Sequence, residues 1–323
     1  MTKSQVNPIL FLCATTLIPF MLCIDFLGIG VVLPSIAKHF SASMDQVHWL
    51  ITLFAIGYVG FIISITRLAD RYGRRPLYFI TVIVFILSSI LIGLSSALWI
   101  LVLGRFLQGI AGGAMVMISL AIISSMYSGD KRAKWMGITV GVAGFGMAVG
   151  PLVAGFLSYY FSWRSLFFVN IPIGILVLVC GYYCVPRGGK NPNITYDFPG
   201  MILITIVLSD FALVISEQES WGVFSTASIM SHLIWIVGLI VFCIVELKQK
   251  NPLVNYKLFT RANFLSSSII GMMIYFSFSA WVILFSLYLN EVYHYSTLDI
   301  GLSLLPFGFF MFLGSLVIGK LLK

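Results

Sequence analysis

Apolar residues run through this chain in long unbroken stretches, not in the alternation of an amphipathic strand. About 20 residues of helix are needed to cross the hydrocarbon of a bilayer. On that yardstick the pattern predicts ten helices, over 9–33, 47–65, 77–97, 98–127, 135–159, 164–185, 200–216, 226–246, 264–289 and 300–322. Only Ser95 and Ser96 separate the third from the fourth. No period of two marks these stretches, which favours helices over the strands of a membrane barrel.

Composition agrees. Hydrophobic residues make up 60% of the 323 positions and charged residues 9%, whereas an ordinary soluble domain carries about 25% charged. There is too little charge to cover a water-facing surface. In lipid every backbone N–H and C=O must be satisfied within a helix or closed barrel, so the expected class is an all-α integral membrane bundle and not a soluble enzyme. The first apolar run is too long for a secretory signal, and no small-residue cleavage site follows Asp25. Cys13, Cys23, Cys180, Cys184 and Cys243 all fall in apolar stretches without polar neighbours and read as small hydrophobic filler.

Charge then sets an orientation. Lys and Arg gather in cytoplasmic loops. Of the 19 bases, 16 fall on one side of the ten-helix pattern: Lys3, then Arg67, Arg71, Arg74 and Arg75, then Lys131, Arg132 and Lys134, then Arg187 and Lys190, then Lys248, Lys250, Lys257 and Arg261, and finally Lys320 and Lys323. Lys38 and Arg164 lie opposite, and Arg105 lies within a span. The alternation predicts both termini in the cytoplasm, and it reads the net charge of +8 as a topology signal, not as a nucleic-acid footprint. Trp49, Trp99, Trp135, Trp163 and Tyr293 fit interfacial belts, and His39, His48, His232 and His294 read as interfacial too. Asn193-Ile194-Thr195 has the form of a glycosylation acceptor but falls in an expected cytoplasmic loop.

Three features carry chemistry. The turn after the second span reads Thr66-Arg67-Leu68-Ala69-Asp70-Arg71-Tyr72-Gly73-Arg74-Arg75-Pro76. Gly73 can take a positive φ and reverse the chain, Asp70 can serve a helix N-terminus, and the arginines can anchor to anionic headgroups. In the fifth span Gly146, Gly150 and Gly155 with Pro151 make a small-residue face with a bend. Asp25 and Arg105 are charges placed at lipid depth, each costing about 2.5–3.5 kcal/mol if unpaired at the bilayer centre. Both are expected roughly 10–12 Å below the outer surface, where they can face one another. They are the candidate proton-coupling or cation-binding residues, with Asp25 titrating and Arg105 adjusting it. Asp210 in the seventh span is a candidate accessory contact, and Glu246 reads as a helix end meeting cytoplasm.

The turn resembles the Gly-x-Leu-Ala-Asp-Arg-x-Gly-Arg-Arg signature of the major facilitator superfamily, with Thr66 in place of its first glycine. Arg105-Phe-Leu-Gln108-Gly109-Ile-Ala111-Gly112 is similar to the family's Arg-x-x-Gln-Gly-x-Gly motif, with Ala111 for a glycine. Gly146-x-x-x-Gly150-Pro151-x-x-Ala154-Gly155 resembles its antiporter motif, with Ala154 for a glycine. Trp163-Arg164-Ser-Leu-Phe167-Phe-Val-Asn170-Ile-Pro172-Ile-Gly174 resembles the fourteen-helix drug:proton antiporters of the EmrB/QacA type. The resemblance covers residues 25–174, and a weaker pattern from Asp197 extends it to Leu302.

What the resemblance implies is a secondary active exporter of hydrophobic or cationic compounds in exchange for protons, in the inner (plasma) membrane, without a cofactor. No Gly-x-x-x-x-Gly-Lys-Ser/Thr loop offers ATP as the energy source. Another metabolite or siderophore as cargo, and a non-transporting membrane component, are the alternatives. The implied division is a six-helix half over 1–185, a two-helix linker over 186–263, and the first two helices of a second half over 264–323. Gly319-Lys320-Leu321-Leu322-Lys323 resembles the opening of a second hinge. On that division four helices of the family pattern are absent, and the expectation is poor transport by this polypeptide alone.

Overall fold

The computed structural model describes residues 7–187, 197–249, 252–254, 256–295 and 297–321. They form α1 (Pro8–Phe40), α2 (Met44–Tyr72), α3 (Arg74–Gly93), α4 (Leu98–Met126), α5 (Gly129–Tyr160), α6 (Ser165–Phe168) and α7 (Asn170–Cys184). After these come α8 (Phe198–Trp221), α9 (Thr226–Lys248), α10 (Ala262–Tyr293) and α11 (Thr297–Leu321). Among the described residues nine stretches are long and apolar enough to cross a membrane, α6 and α7 counting as one. The tenth expected helix forms α11. The Asn193–Thr195 sequon and the bases Lys3, Lys190, Lys250 and Lys323 lie outside the described residues.

Several boundaries move, each for a local reason. Helix α1 continues past position 33 through Pro34 to Phe40, and it stops only where Ser41 turns left-handed at φ 51°. Proline forfeits one backbone bond, which a long buried helix tolerates. Helix α5 starts at Gly129, so Lys131, Arg132 and Lys134 lie in its first turns and not in a loop. The sixth expected helix is divided at Val169. Pro172 has no N–H to offer the Phe168 carbonyl one turn before it. Helix α8 runs beyond 216 to Trp221, because Glu217 is covered by a neighbouring helix.

Close helix contact is written in glycines. A methyl at Gly57 of α2 would come within 2.5 Å of the Phe106 carbonyl oxygen of α4, and one at Gly113 of α4 within 2.6 Å of the Tyr58 carbonyl oxygen of α2. Gly109, between them, faces the Phe54 carbonyl. Small residues four apart let backbones approach where lipid supplies no hydrophobic drive for association. The α1–α5 contact works alike: Gly146 lies against the Phe20 carbonyl and Gly150 against the Ile24 backbone. Gly155 does not take part, since a methyl there would stand 4.0 Å from Val31.

The α8–α9 hairpin is fastened to α2 by a polar seam. The Ser64 hydroxyl donates to the Met201 carbonyl (3.2 Å) and lies 3.0 Å from Thr205 Oγ1. Further along, the Thr52 hydroxyl donates to Glu217 Oε1 at 2.8 Å and sits 2.8 Å from Ser216 Oγ. His48 Nδ1 is 3.5 Å from the same carboxylate oxygen, and the Ser220 hydroxyl donates to the other at 2.9 Å. Helix α11 packs on α5, with Leu152 beneath Gly301 and Ala148 beneath Gly308. Helix α10 meets α11 through Val282, Leu289, Ile300 and Leu304 and is otherwise largely exposed.

Candidate functional site: a buried ion pair and a clamped turn

The structure brings Asp25 and Arg105 together. Arg105 Nη1 donates to Asp25 Oδ2 as a direct ion pair, and both side chains are fully buried. Asp25 is fifteen residues before the end of α1, so it lies about 22 Å along the helix axis from Phe40.

Three neutral side chains complete the site, and sequence reasoning gave none of them a role. Gln108, one turn along α4 from Arg105, accepts from Arg105 Nη1 through Oε1 (2.8 Å). Its Nε2 donates to Asp25 Oδ1 (3.3 Å) and to Ser89 Oγ of α3 (2.8 Å). Asn170, the first residue of α7, donates through Nδ2 to Asp25 Oδ1 at 2.9 Å. The division at Val169 therefore starts a helix where its first side chain reaches the carboxylate. Spacing could have found Gln108, which shares a helix face with Arg105. Asn170 shows only as an amide in an apolar run.

Arg105 is held from α2 as well. Its Nε donates to the Leu50 carbonyl at 3.2 Å, and its guanidinium lies 4.2 Å from the centre of the Phe54 ring. A cation over an aromatic face gains on the order of 2 kcal/mol when desolvated. Asp25 accepts donors from α4 and α7, and Arg105 finds acceptors on α1, α2 and α4.

Asp210 does not join this group; its Oδ1 accepts from the Ser231 hydroxyl of α9 at 2.6 Å. Glu246 is buried, not solvated, and its Oε2 accepts from the Val254 N–H at 3.3 Å. Trp163 is also buried, packed on Phe167 and His39, so it does not belong to an interfacial belt. His48, near the start of α2, keeps a partly exposed side chain beside Glu217. Among the described residues no group of three or more His, Cys, Asp or Glu is placed to hold a metal.

The charged turn clamps helix ends instead of offering all its arginines to headgroups. Asp70 accepts from Arg74 Nη2 (3.1 Å) and Nε (3.3 Å), while Arg74 Nη1 reaches the Ala121 carbonyl near the end of α4 (2.8 Å). Arg75 donates to the Val185 carbonyl (2.6 Å) and the Tyr182 carbonyl (2.9 Å) at the end of α7. Cations at helix C-termini meet the negative end of the dipole. Arg71 makes a further interaction. Gly73 has φ 105° and ψ 138°, a region a side chain enters only at about 1–3 kcal/mol. Gly73→Ala is expected to lower thermal stability by that amount, read from the unfolding midpoint in detergent; an unchanged midpoint would remove the strain argument.

Membrane-crossing helices around a buried ion pair, with a charged turn clamping one end, define a multi-pass membrane protein of transporter architecture. The chain belongs to the Major Facilitator Superfamily, whose sequence model matches residues 15–323. It is 30% identical over 314 residues to the multidrug resistance protein Stp of Mycobacterium tuberculosis, covering 97% of this chain and 58% of Stp. The multidrug export protein EmrB of Haemophilus influenzae is 29% identical over 320 residues, covering 97% of this chain and 62% of EmrB. The riboflavin transporter RibZ of Clostridioides difficile is 27% identical over 286 residues, covering 87% of this chain and 61% of RibZ. The chain thus spans about three fifths of the length of these relatives. Among solved structures, the proton:xylose symporter XylE superposes with a TM-score of 0.59 over 97% of this chain and 68% of its own, at 14% identity. That likeness concerns the fold.

Proposed function

We propose that this chain forms the proton-coupled part of an exporter for small hydrophobic or cationic compounds, exchanging them for protons across the inner (plasma) membrane with both termini cytoplasmic. The observation that carries this reading is the buried Asp25–Arg105 pair, braced by Gln108 and Asn170. Charge at this depth is costly enough to be kept for work. The likeness to Stp and EmrB supports the export of drug-like compounds, and the likeness to RibZ supports a vitamin-sized metabolite as the alternative cargo.

In the charged state Asp25 holds Arg105 and thereby ties α1 to α4. Protonation removes that attraction, leaving Arg105 to Gln108, Leu50 and Phe54. The two helices are then free to adopt a second arrangement, and one half can rock against the other around a midplane site. The clamped turn, through Asp70, Arg74 and Arg75, holds the ends of α2, α3, α4 and α7 together on the basic face during that motion. Asp210 acts in the linker hairpin, as a contact to Ser231.

Dye-loaded right-side-out vesicles test the reading, using this chain completed with the four helices of the family pattern, because poor transport is expected of this polypeptide alone. Acidifying the outside is expected to accelerate loss of dye, and Asp25→Asn to reduce the acid-driven part at least tenfold. An equal response in the variant would overturn it. Topology has its own check: cysteines at Arg74 and Lys131 label from the same face of the membrane, and labelling from opposite faces would reject the arrangement.

A further inference from the structure

The bonds around Asp25 are unequal between its two protonation states. As a carboxylate it accepts from Arg105 Nη1 at Oδ2, and from Gln108 Nε2 (3.3 Å) and Asn170 Nδ2 (2.9 Å) at Oδ1. Every contact is a donor, as an ionised acid requires. A proton arriving on Oδ1 makes a new O–H that needs an acceptor, and a buried O–H without one costs about 1–3 kcal/mol.

The acceptors within reach are nearly all committed. Gln108 Oε1 already takes Arg105 Nη1 at 2.8 Å. The Ser89 hydroxyl spends its proton on the Phe85 carbonyl at 2.8 Å, and its oxygen receives Gln108 Nε2 (2.8 Å) and Asn170 Nδ2 (3.4 Å). One acceptor has no bond. Asn170 Oδ1 is fully buried and without a hydrogen-bond partner. It sits on the same amide whose nitrogen touches the carboxylate.

We propose that Asn170 is a positioning residue that serves both protonation states of Asp25, by turning its side-chain amide over when the proton arrives. With Asp25 ionised, Nδ2 donates to Oδ1. With Asp25 protonated, a half-turn about the Cβ–Cγ bond, a soft torsion in asparagine, puts Oδ1 of the amide where Nδ2 stood. There it accepts the new O–H. One O–H bond forms on Asp25 with a proton from bulk water, and nothing else is made or broken covalently. Gln108 has the complementary task of keeping Arg105 bonded while Asp25 is neutral. Among the described residues Arg105 is the charged group facing Asp25. The neighbours on α3, α4 and α7 are the neutral Ser89, Gln108 and Asn170, and on the α5 side glycines meet the backbone of α1. The Asp25–Asn170 contact is therefore decided by one proton.

The inference rests on Asp25 taking up a proton, as proposed above, and infrared difference spectra of the reconstituted protein separate the two. With asparagine labelled by ¹³C at the side-chain carbonyl, acidification is expected to raise a carboxylic-acid band from Asp25. In the same pH interval the free carbonyl stretch of Asn170 should fall in frequency as it becomes bonded. Asp25→Asn should abolish both changes. In Asn170→Leu the acid band should move to higher frequency, for want of an acceptor, and in Asn170→Thr, which both donates and accepts, it should return. An acid band that rises while the Asn170 stretch stays fixed would overturn the inference and leave the proton site standing. The absence of any acid band would overturn both. A purely architectural Asn170 predicts a fixed stretch, and the wild-type measurement decides this even if Asn170→Leu fails to fold.

Discussion

Arg105→Leu is expected to destabilise the bundle by about 3–5 kcal/mol, the cost of leaving a buried charge without its partner. Asp25 would keep Gln108 and Asn170, which are neutral donors, and lose the one cation that faces it among the described residues. The same substitution removes the bond to the Leu50 carbonyl and the contact with the Phe54 ring, so α2 loses its tie to α4 at that level. The double variant Asp25→Asn with Arg105→Leu should recover much of the loss, because it leaves no charge to compensate. Denaturant midpoints of the four proteins give the coupling directly. Additive losses would show that the two side chains do not depend on each other, against their geometry. Acid-driven transport should be lost in both single variants and in the double, which separates stability from proton coupling.

Gly109→Val carries the second large effect. Its side chain would occupy the space held by the Phe54 carbonyl of α2, and no rotamer avoids a backbone atom. Overpacking of this kind costs typically about 1–3 kcal/mol, and more where the neighbour cannot yield. Helix α2 has little room to yield, since Gly57 and Gly113 hold it equally close to α4 on either side and α8 is hydrogen-bonded to it. Gly30→Ala is the control: nothing lies within 4 Å of a methyl there, and a helical Gly→Ala exchange gains about 0.5–1 kcal/mol. Gly155→Ala should be tolerated too, though it belongs to the same motif as Gly146 and Gly150. Equal unfolding midpoints for Gly109→Val and Gly30→Ala would refute the packing argument.

These two sites differ in how plainly the sequence announced them. The spans were legible because lipid demands long apolar helices, and Asp25 and Arg105 because isolated charges stand out in such surroundings. Their pairing followed from cost alone. Asn170, Gln108 and Ser89 were not legible as a set, since neutral polar residues are ordinary in helices. Whether they converge depends on helix rotation and on the division at Val169, which three-dimensional packing fixes. The partnership of Thr52 with Glu217 joins residues 165 apart in sequence, and the glutamate's polarity made α8 look shorter than it is. The Gly73 turn was readable in conformation, but the carbonyls that its arginines hold belong to helices far along the chain.

The hydroxyls along α2 that grip α8 have a mechanical meaning. In hydrocarbon no water is at hand to replace a broken hydrogen bond, so Thr52–Glu217 and Ser64–Met201 act as rivets, and any large movement carries α8 along with α2. The described contacts between α5 and α11 are of another kind: Ala148 and Leu152 under bare glycines, with no directional bond to break, a surface along which one helix can glide. By stiffness, and not by chain order, shear is expected between α5 and α11, with α8 moving alongside α2.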